Sequence, residues 1–312
     1  MKFIDTMIEK RNLRKMNHIK TEKFGISTIL KFVTVTALVL YAFSLFLPFI
    51  WIIINSLKDE IDYILYPFDL PKSGWMWKNY VDCWEALTVT AQINYNIITF
   101  GPMQMIGYTL IIAISGVIKN LLGNTFVAYV LARYKCKFVN FLWTYMIVMM
   151  FIPLGPSLVV SLKFAKWLGY WDNLVFYCLW GFGCFGANTL LLYASFKGLS
   201  DAYGEAAKID GAGPWRIFIQ IYLPMIFPML ATLFILALLG CWSDYMTTVV
   251  WLPSFPTLGY GLYIFRETAY HKGLGTPVVL SSQLITAVFS IVLYLCFQDL
   301  ILAKMSVGTL KQ

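Results

Sequence analysis

Residues 203–224 read Tyr203-Gly-Glu-Ala-Ala-Lys-Ile-Asp-Gly-Ala-Gly-Pro-Trp-Arg-Ile-Phe-Ile-Gln-Ile-Tyr-Leu-Pro224, a polar stretch between long apolar runs. Ser200, just before it, is an N-cap candidate, because a hydroxyl there accepts an otherwise unpaired backbone N–H. A short helix is expected through Glu205, Ala206 and Ala207 to about residue 209. Asp210-Gly211 ends it, since glycine reaches the left-handed conformation of a helix terminus cheaply, and Ala212 follows. Pro214 suits the first position of a second helix, where its missing N–H is not needed. In that helix Trp215, Phe218, Ile219 and Tyr222 recur at i, i+3, i+4 and i+7, an apolar stripe on one side. Leu223-Pro224 opens the next apolar run. The pattern predicts a knob of two short helices joined at a glycine turn, suited to docking into another protein.

The surroundings define the chain's class. Of its 312 residues, 59% are hydrophobic and only 13% charged, against nearly a quarter charged in a soluble domain. The chain is therefore read as a polytopic membrane protein in a lipid bilayer. A net charge of +8 can signal a nucleic-acid partner, but its distribution follows membrane topology, so no nucleic acid is expected. The six cysteines lack metal-ligand spacing, and only Cys83 falls in a long polar loop, so neither a metal site nor an external disulfide is expected. His18 and His271 lie far apart.

Taken in order, residues 1–31 hold eight Lys/Arg against Asp5, Glu9 and Glu22 and form a basic tail. The uncharged run 32–56 is long enough to span hydrocarbon at 1.5 Å per residue, and too long for a signal-peptide core. Residues 57–104 form a polar external loop with six acids and three lysines. Further spans are expected at about 105–131, 138–162, 174–196, 225–252 and 278–302. Pro153 and Pro156 should kink the third, and Gly181, Gly183 and Gly186 should allow close helix contact in the fourth. The permease domain is 32–302, with the docking loop at 197–223 and a tail at 303–312. Sixteen Lys/Arg lie on the side of the two tails, residues 133–137 and the docking loop, and seven lie opposite. Excess positive charge marks the inner face, so the docking loop and both termini are expected in the cytoplasm. The fold class is all-α, with six transmembrane helices.

The series Glu205-Ala206-Ala207, Asp210-Gly211-Ala212 and Leu223-Pro224 resembles the "EAA" loop of binding-protein-dependent ABC importer permeases. Other segments agree. Asn55-Ser-Leu-Lys58 followed by prolines and Asn79-Tyr80 resembles the first external loop of sugar-importer permeases. Ala128-Tyr129, with Leu131-Ala132-Arg133, resembles the family's span-two ending. Val307-Gly308-Thr309-Leu310-Lys311 resembles the tail of maltose-type permeases, without its terminal glycine. The resemblance implies a type I importer permease, half of a heterodimer with a sister permease subunit, in a bacterial cytoplasmic membrane. It further implies two ATPase subunits gripping the loop, an extracytoplasmic solute-binding protein, a carbohydrate cargo of oligosaccharide size, and alternating access. No Gly-x-x-x-x-Gly-Lys-Ser/Thr run occurs, so ATP and magnesium belong to the ATPase and this chain needs no cofactor. Nor does any nucleophile elbow or His-Glu-x-x-His element offer catalysis. Glu205 can present its carboxylate to an arginine of the ATPase; Ala206 and Ala207 permit close approach, and the Trp215 stripe ties the knob to the spans.

Ionisable residues inside a span are functional candidates by default. Lys119 lies about midway along span two and Asp244 in the outer half of span five. Cys241-Trp242-Ser243-Asp244-Tyr245 resembles the Trp-Asn-Asp/Glu-Phe element of sugar permeases, with Ser243 in place of asparagine. Cys241, Asp244, Tyr245 and Thr248 fall on one helical face, and Gln283, Thr286 and Ser290 form a similar stripe in span six. Carboxylates, amides, hydroxyls and aromatic faces are what a sugar needs, so Lys119, Trp242, Asp244, Tyr245, Thr248, Gln283, Thr286 and Ser290 are the pathway candidates. A Lys119–Asp244 pair within the bundle is the structural alternative, and the Gly116, Asn120, Asn124 row is read as packing. The rival functions are an importer of another solute, such as glycerol phosphate, and an ATP-independent carrier or channel. A carrier should show internal repeats of its spans, and none is seen.

Overall fold

Long uncharged runs can satisfy their backbone in lipid only as helices, and the computed structural model, which describes residues 26–93, 96–152, 158–181 and 183–305, is mostly helical. The basic tail up to residue 25, Pro153, Pro156 and the Val307–Lys311 element lie outside the described residues. Helix α1 (Ile26–Ser56) is followed by α2 (Glu60–Leu65), α3 (Lys78–Ala86) and a hairpin of β1 (Val89–Ile93) and β2 (Asn96–Phe100). The antiparallel register pairs Val89 with Phe100 and Ile93 with Asn96. Then come α4 (Pro102–Arg133), α5 (Lys137–Phe151), α6 (Leu158–Leu168), α7 (Leu174–Leu179) and α8 (Ala187–Lys197). The docking loop holds α9 (Ala202–Ile209) and α10 (Pro214–Ile217), which runs through a π-helical turn (Phe218–Tyr222) into α11 (Leu223–Trp242). Helices α12 (Met246–Val250), α13 (Leu258–Thr268) and α14 (Thr276–Met305) complete the chain.

Among the described residues, four helical stretches are long and apolar enough to cross a membrane: Ile29–Ser56, Pro102–Arg133, Pro214–Trp242 and Thr276–Gln298. The stretches expected as spans three and four are instead divided, into α5 with α6 and α7 with α8. In the second case the glycines, read as packing residues, mark a break: α7 ends at an extended Trp180, and Gly181 follows with φ +87°, a left-handed conformation. Span five also ends early, at Trp242 rather than 252, and the short loop expected before span six contains α13.

Helix α4 is the central post, packed against α5, α7, α8, α11 and α13. Its polar row grips the divided α7–α8 pair. Lys119 Nζ donates to the carbonyl of Tyr177 and, at 3.0 Å, to that of Trp180, pairing carbonyls at the C-terminal end of α7. Asn120 faces the break so closely that a Cβ on Gly183 would lie 2.2 Å from its amide nitrogen. Asn124 donates to Asn120 Oδ1 at 2.7 Å and accepts from Thr189 Oγ at 2.5 Å, which fixes the start of α8. The row read as packing is thus a polar clasp. Thr189→Val should leave buried Asn124 Oδ1 unpaired, at a cost of about 0.5–2 kcal/mol for a hydrogen bond between membrane helices; thermal unfolding in detergent measures it, and an unchanged midpoint would dismiss the clasp.

The segment that follows α1 explains the Asn55–Lys58 and Asn79-Tyr80 motifs. Asn79 Nδ2 donates to the carbonyls of Ser56 and Lys58, both at 2.8 Å, closing the end of α1. Tyr80 OH meets Ser56 Oγ at 2.8 Å, and the fully buried Lys58 donates to the Tyr66 carbonyl at 2.6 Å. Backbone N–H groups of Ser73 and Lys72 hold the Asp62 carboxyl below the usual carboxylate range. Cys83, expected on a wet loop, is buried among Leu87, Val89 and Phe100, and burial pushes its thiol up to about 12.

Candidate coupling loop and translocation cavities

Helix α9 is two-faced. Gly204 and Ala207 point into the bundle, whereas Glu205, Ala206 and Asp210 are exposed. A Cβ at Gly204 would stand 2.5 Å from the Tyr222 hydroxyl, so only glycine lets α9 lie this close. The two alanines therefore divide their work: Ala207 packs in the cluster of Tyr129, Phe196, Ile217, Phe218 and Tyr222, and Ala206 lies on the outer face beside Glu205. Asp210 caps α9 and Gly211 follows with φ +79°, the left-handed turn expected there. Ala212 N–H then donates to the Ala207 carbonyl at 2.9 Å, and Pro214 occupies the first turn of α10. Asp201, not Ser200, stands at the N-cap position, although Ser200 Oγ accepts from the Ala202 N–H at 3.3 Å.

The apolar stripe of the second helix is rotated from its expected position. Phe218 and Tyr222 are buried, but Ile219 is exposed; Trp215 is also exposed and lies flat against Phe126 of α4, with ring centroids 5.7 Å apart. The π-helical turn adds a residue to the repeat at this point, which shifts the face presented to the core. Sequence reasoning assigned no role to Arg133, yet it joins the loop to α4. Its guanidinium donates to the carbonyls of Phe196 at 2.6 Å and Leu199 at 3.1 Å, pairs with Asp201, and sits 4.3 Å over the Tyr222 ring. Its place at the charged end of the second apolar run was all the sequence offered, and its burial and partners were not legible there.

Five of the eight pathway candidates line two cavities, and Trp242, Tyr245 and Thr248 line neither. Lys119 and Asp244 share a cavity of about 400 Å3 with Asn120, Tyr177, Asn188 and Thr247. No ion pair joins them among the described residues; Asp244 instead caps α12, accepting from the Met246 N–H at 2.9 Å and from the Thr247 hydroxyl. Because α11 stops at Trp242, the face expected for Cys241, Asp244, Tyr245 and Thr248 is broken. Thr248 is fully buried and bonded to Thr257 at 2.9 Å. Trp242 is buried with its ring 3.4 Å from that of Phe289, and Tyr245 stacks on Tyr263 at 5.0 Å. Gln283, Thr286 and Ser290 line a second cavity of about 400 Å3 between α13 and α14.

A membrane-embedded helical bundle carrying an EAA-type knob is the architecture of an ABC importer's permease. The chain superposes, with a TM-score of 0.69 at 19% identity, on 99% of a chain in the crystal structure of a bacterial ABC transporter involved in the import of the acidic polysaccharide alginate, using 91% of its own length. Residues 124–306 match the family described as binding-protein-dependent transport system inner membrane component, and the chain belongs to it. It is similar to the diacetylchitobiose uptake system permease protein NgcG of Streptomyces coelicolor, 25% identical over 88% of this chain and 87% of the relative. It is also similar to the probable starch degradation products transport system permease protein AmyC of Thermoanaerobacterium thermosulfurigenes, 27% identical over 85% and 91%. The melibiose/raffinose/stachyose import permease protein MelC of Bacillus subtilis is 26% identical over 85% and 91%. The chain is a transport subunit and not an enzyme; the ATPase is a separate subunit.

Proposed function

We propose that this chain is one half of the translocation pathway of an oligosaccharide importer, paired with a sister permease, powered by two ATPases and supplied by an extracytoplasmic solute-binding protein. The family membership and the saccharides named for its relatives support the cargo class. The excess of Lys/Arg on the side of the 197–223 loop supports a cytoplasmic knob with both tails inside. The observation that carries the coupling role is the division of α9, with Gly204 and Ala207 locked into the bundle and the Glu205 carboxylate free on the outer face. An ATPase closing on that face pushes a lever continuous with α11 through α10 and the π-helical turn. The divided α5–α6 and α7–α8 pairs give the bundle places to bend, as alternating access requires.

Loss of one charge-assisted contact is worth roughly 1.5–3 kcal/mol, so Glu205→Ala in the assembled transporter should lower ATP-driven uptake about tenfold or more. Gly211→Asp, which forces a side chain into a left-handed turn, should act in the same direction. Uptake in proteoliposomes, with ATP hydrolysis measured in parallel, tests both. Undiminished, ATP-coupled uptake in both variants would refute the knob.

A further inference from the structure

The two cavities near the α11 break differ in how many of their polar groups are already paired. In the Lys119–Asp244 cavity most of the hydrogen-bonding capacity is committed within the chain, Lys119 to two carbonyls, Asp244 to the start of α12, and Thr257 to Thr248 and the Asp244 carbonyl, which leaves the Asn188 amide open. In the α13–α14 cavity it is not. Thr286 bonds back to the Ser282 carbonyl, but the side chains of Ser243, Tyr263, Arg266, Gln283 and Ser290 have no hydrogen-bond partner among the described residues. Ser243, Tyr263, Arg266 and Gln283 are exposed and Ser290 is half-buried, so all five groups stand open to a ligand entering this cavity. Their layout is directional. Arg266 lies near the end of α13, outside the spans, while Gln283 and Ser290 descend one face of α14 over roughly 10 Å at 1.5 Å per residue. The Tyr245–Tyr263 stack, with rings 9° from parallel, adjoins this path and supplies an aromatic surface.

We infer that the α13–α14 cavity, rather than the Lys119–Asp244 cavity, is the wall this chain presents to the cargo, and that Arg266 reads two neighbouring oxygens of a saccharide ring at its mouth. A guanidinium is a planar fork that donates to two adjacent oxygens at once, whether vicinal hydroxyls or a carboxylate. Gln283 and Ser290 then take over ring hydroxyls deeper in, and the tyrosine pair faces the ring's C–H surface. Lys119 and Asp244 are positioning residues, holding the ends of α7 and α12 around this path. The inference rests on the carbohydrate reading above.

The test uses the complete transporter in proteoliposomes, with its sister permease, ATPases and binding protein, and with maltotriose, raffinose, diacetylchitobiose and trigalacturonate as probes. For the probes that the wild-type complex imports, Arg266→Ala should raise KM about tenfold with little change in Vmax, the loss of one charge-assisted contact. Arg266→Lys should recover only part of this, because an ammonium cannot fork, and Gln283→Ala should raise KM several-fold. A rise confined to trigalacturonate would identify the oxygens as a carboxylate; an equal rise for neutral probes would identify a diol. Co-purification of the sister permease verifies assembly, and Gln283→Ala decides the matter if Arg266→Ala does not assemble. An unchanged KM in the assembled variants overturns the inference. Failure of the wild type to import any probe removes the carbohydrate reading and this inference with it, whereas a failed Glu205→Ala result would remove only the coupling role.

Discussion

Arg133→Met should destabilise the permease by about 1–3 kcal/mol, because the Leu199 carbonyl loses its donor, the Phe196 carbonyl keeps only the Leu199 N–H, and one unsatisfied group costs roughly 1–3 kcal/mol. The side chain is only 8% exposed and donates to Phe196 and Leu199, just where α8 ends and the coupling loop begins. Methionine fills much of the volume and keeps contact with Tyr222, but it cannot donate. The Asp201 carboxylate behaves differently. It is 74% exposed, so its ion pair is screened by water and Asp201→Asn should cost under about 1 kcal/mol. Thermal unfolding in detergent separates the two variants: a large fall for Arg133→Met beside a small one for Asp201→Asn is expected. Equal falls would mean that the ion pair, and not the carbonyl contacts, holds the loop. Since the same guanidinium orients α9, Arg133→Met should also reduce co-purification of the ATPase.

Gly259→Val should be comparably damaging for a different reason. A Cβ at Gly259 would lie 2.9 Å from the Asp244 carbonyl oxygen and 3.0 Å from the carbonyl carbons of Ser243 and Asp244. These are backbone atoms at the break between α11 and α12, so no side-chain rotation relieves the overlap. Overpacking of this kind costs about 1–3 kcal/mol or more, and separating α13 from the break would also distort the α13–α14 cavity. The measurements are yield of folded protein and unfolding midpoint, followed by KM for an imported saccharide. A fully stable Gly259→Val variant with normal uptake would show that α13 moves freely relative to α11, contrary to the close packing described here.

The residues that made the two-helix knob legible act over a few positions. Gly211 takes the left-handed turn because a side chain there is strained, and Pro214 starts α10 because its φ suits a first turn; neither depends on distant parts of the chain. The apolar runs were legible for a related reason, since lipid leaves the backbone no partner but itself. The breaks were less so. Gly181, Gly183 and Gly186 serve close packing and interruption equally well, and the choice depends on Lys119 arriving from α4 to pair the carbonyls that the break exposes, with Asn120 close against Gly183. Thr248 was assigned to a cavity by extending a 3.6-residue repeat across Ser243, where the helix stops. Arg266, between the runs expected as spans five and six, carried no assignment, because only contact with α14 turns that segment into a cavity wall.

By itself the sequence determined that this chain is a helical membrane protein with a glycine-hinged knob, because those features arise from hydrophobicity and local backbone preference. Tertiary structure alone decided that Arg133 anchors the knob, that Lys119 and Asp244 serve the ends of broken helices rather than each other, and which cavity keeps more of its polar groups free. The physical reason is that a hydrogen-bonding group inside a membrane must be satisfied by whatever lies beside it, and a neighbour tens of residues away in sequence leaves no mark in the local pattern.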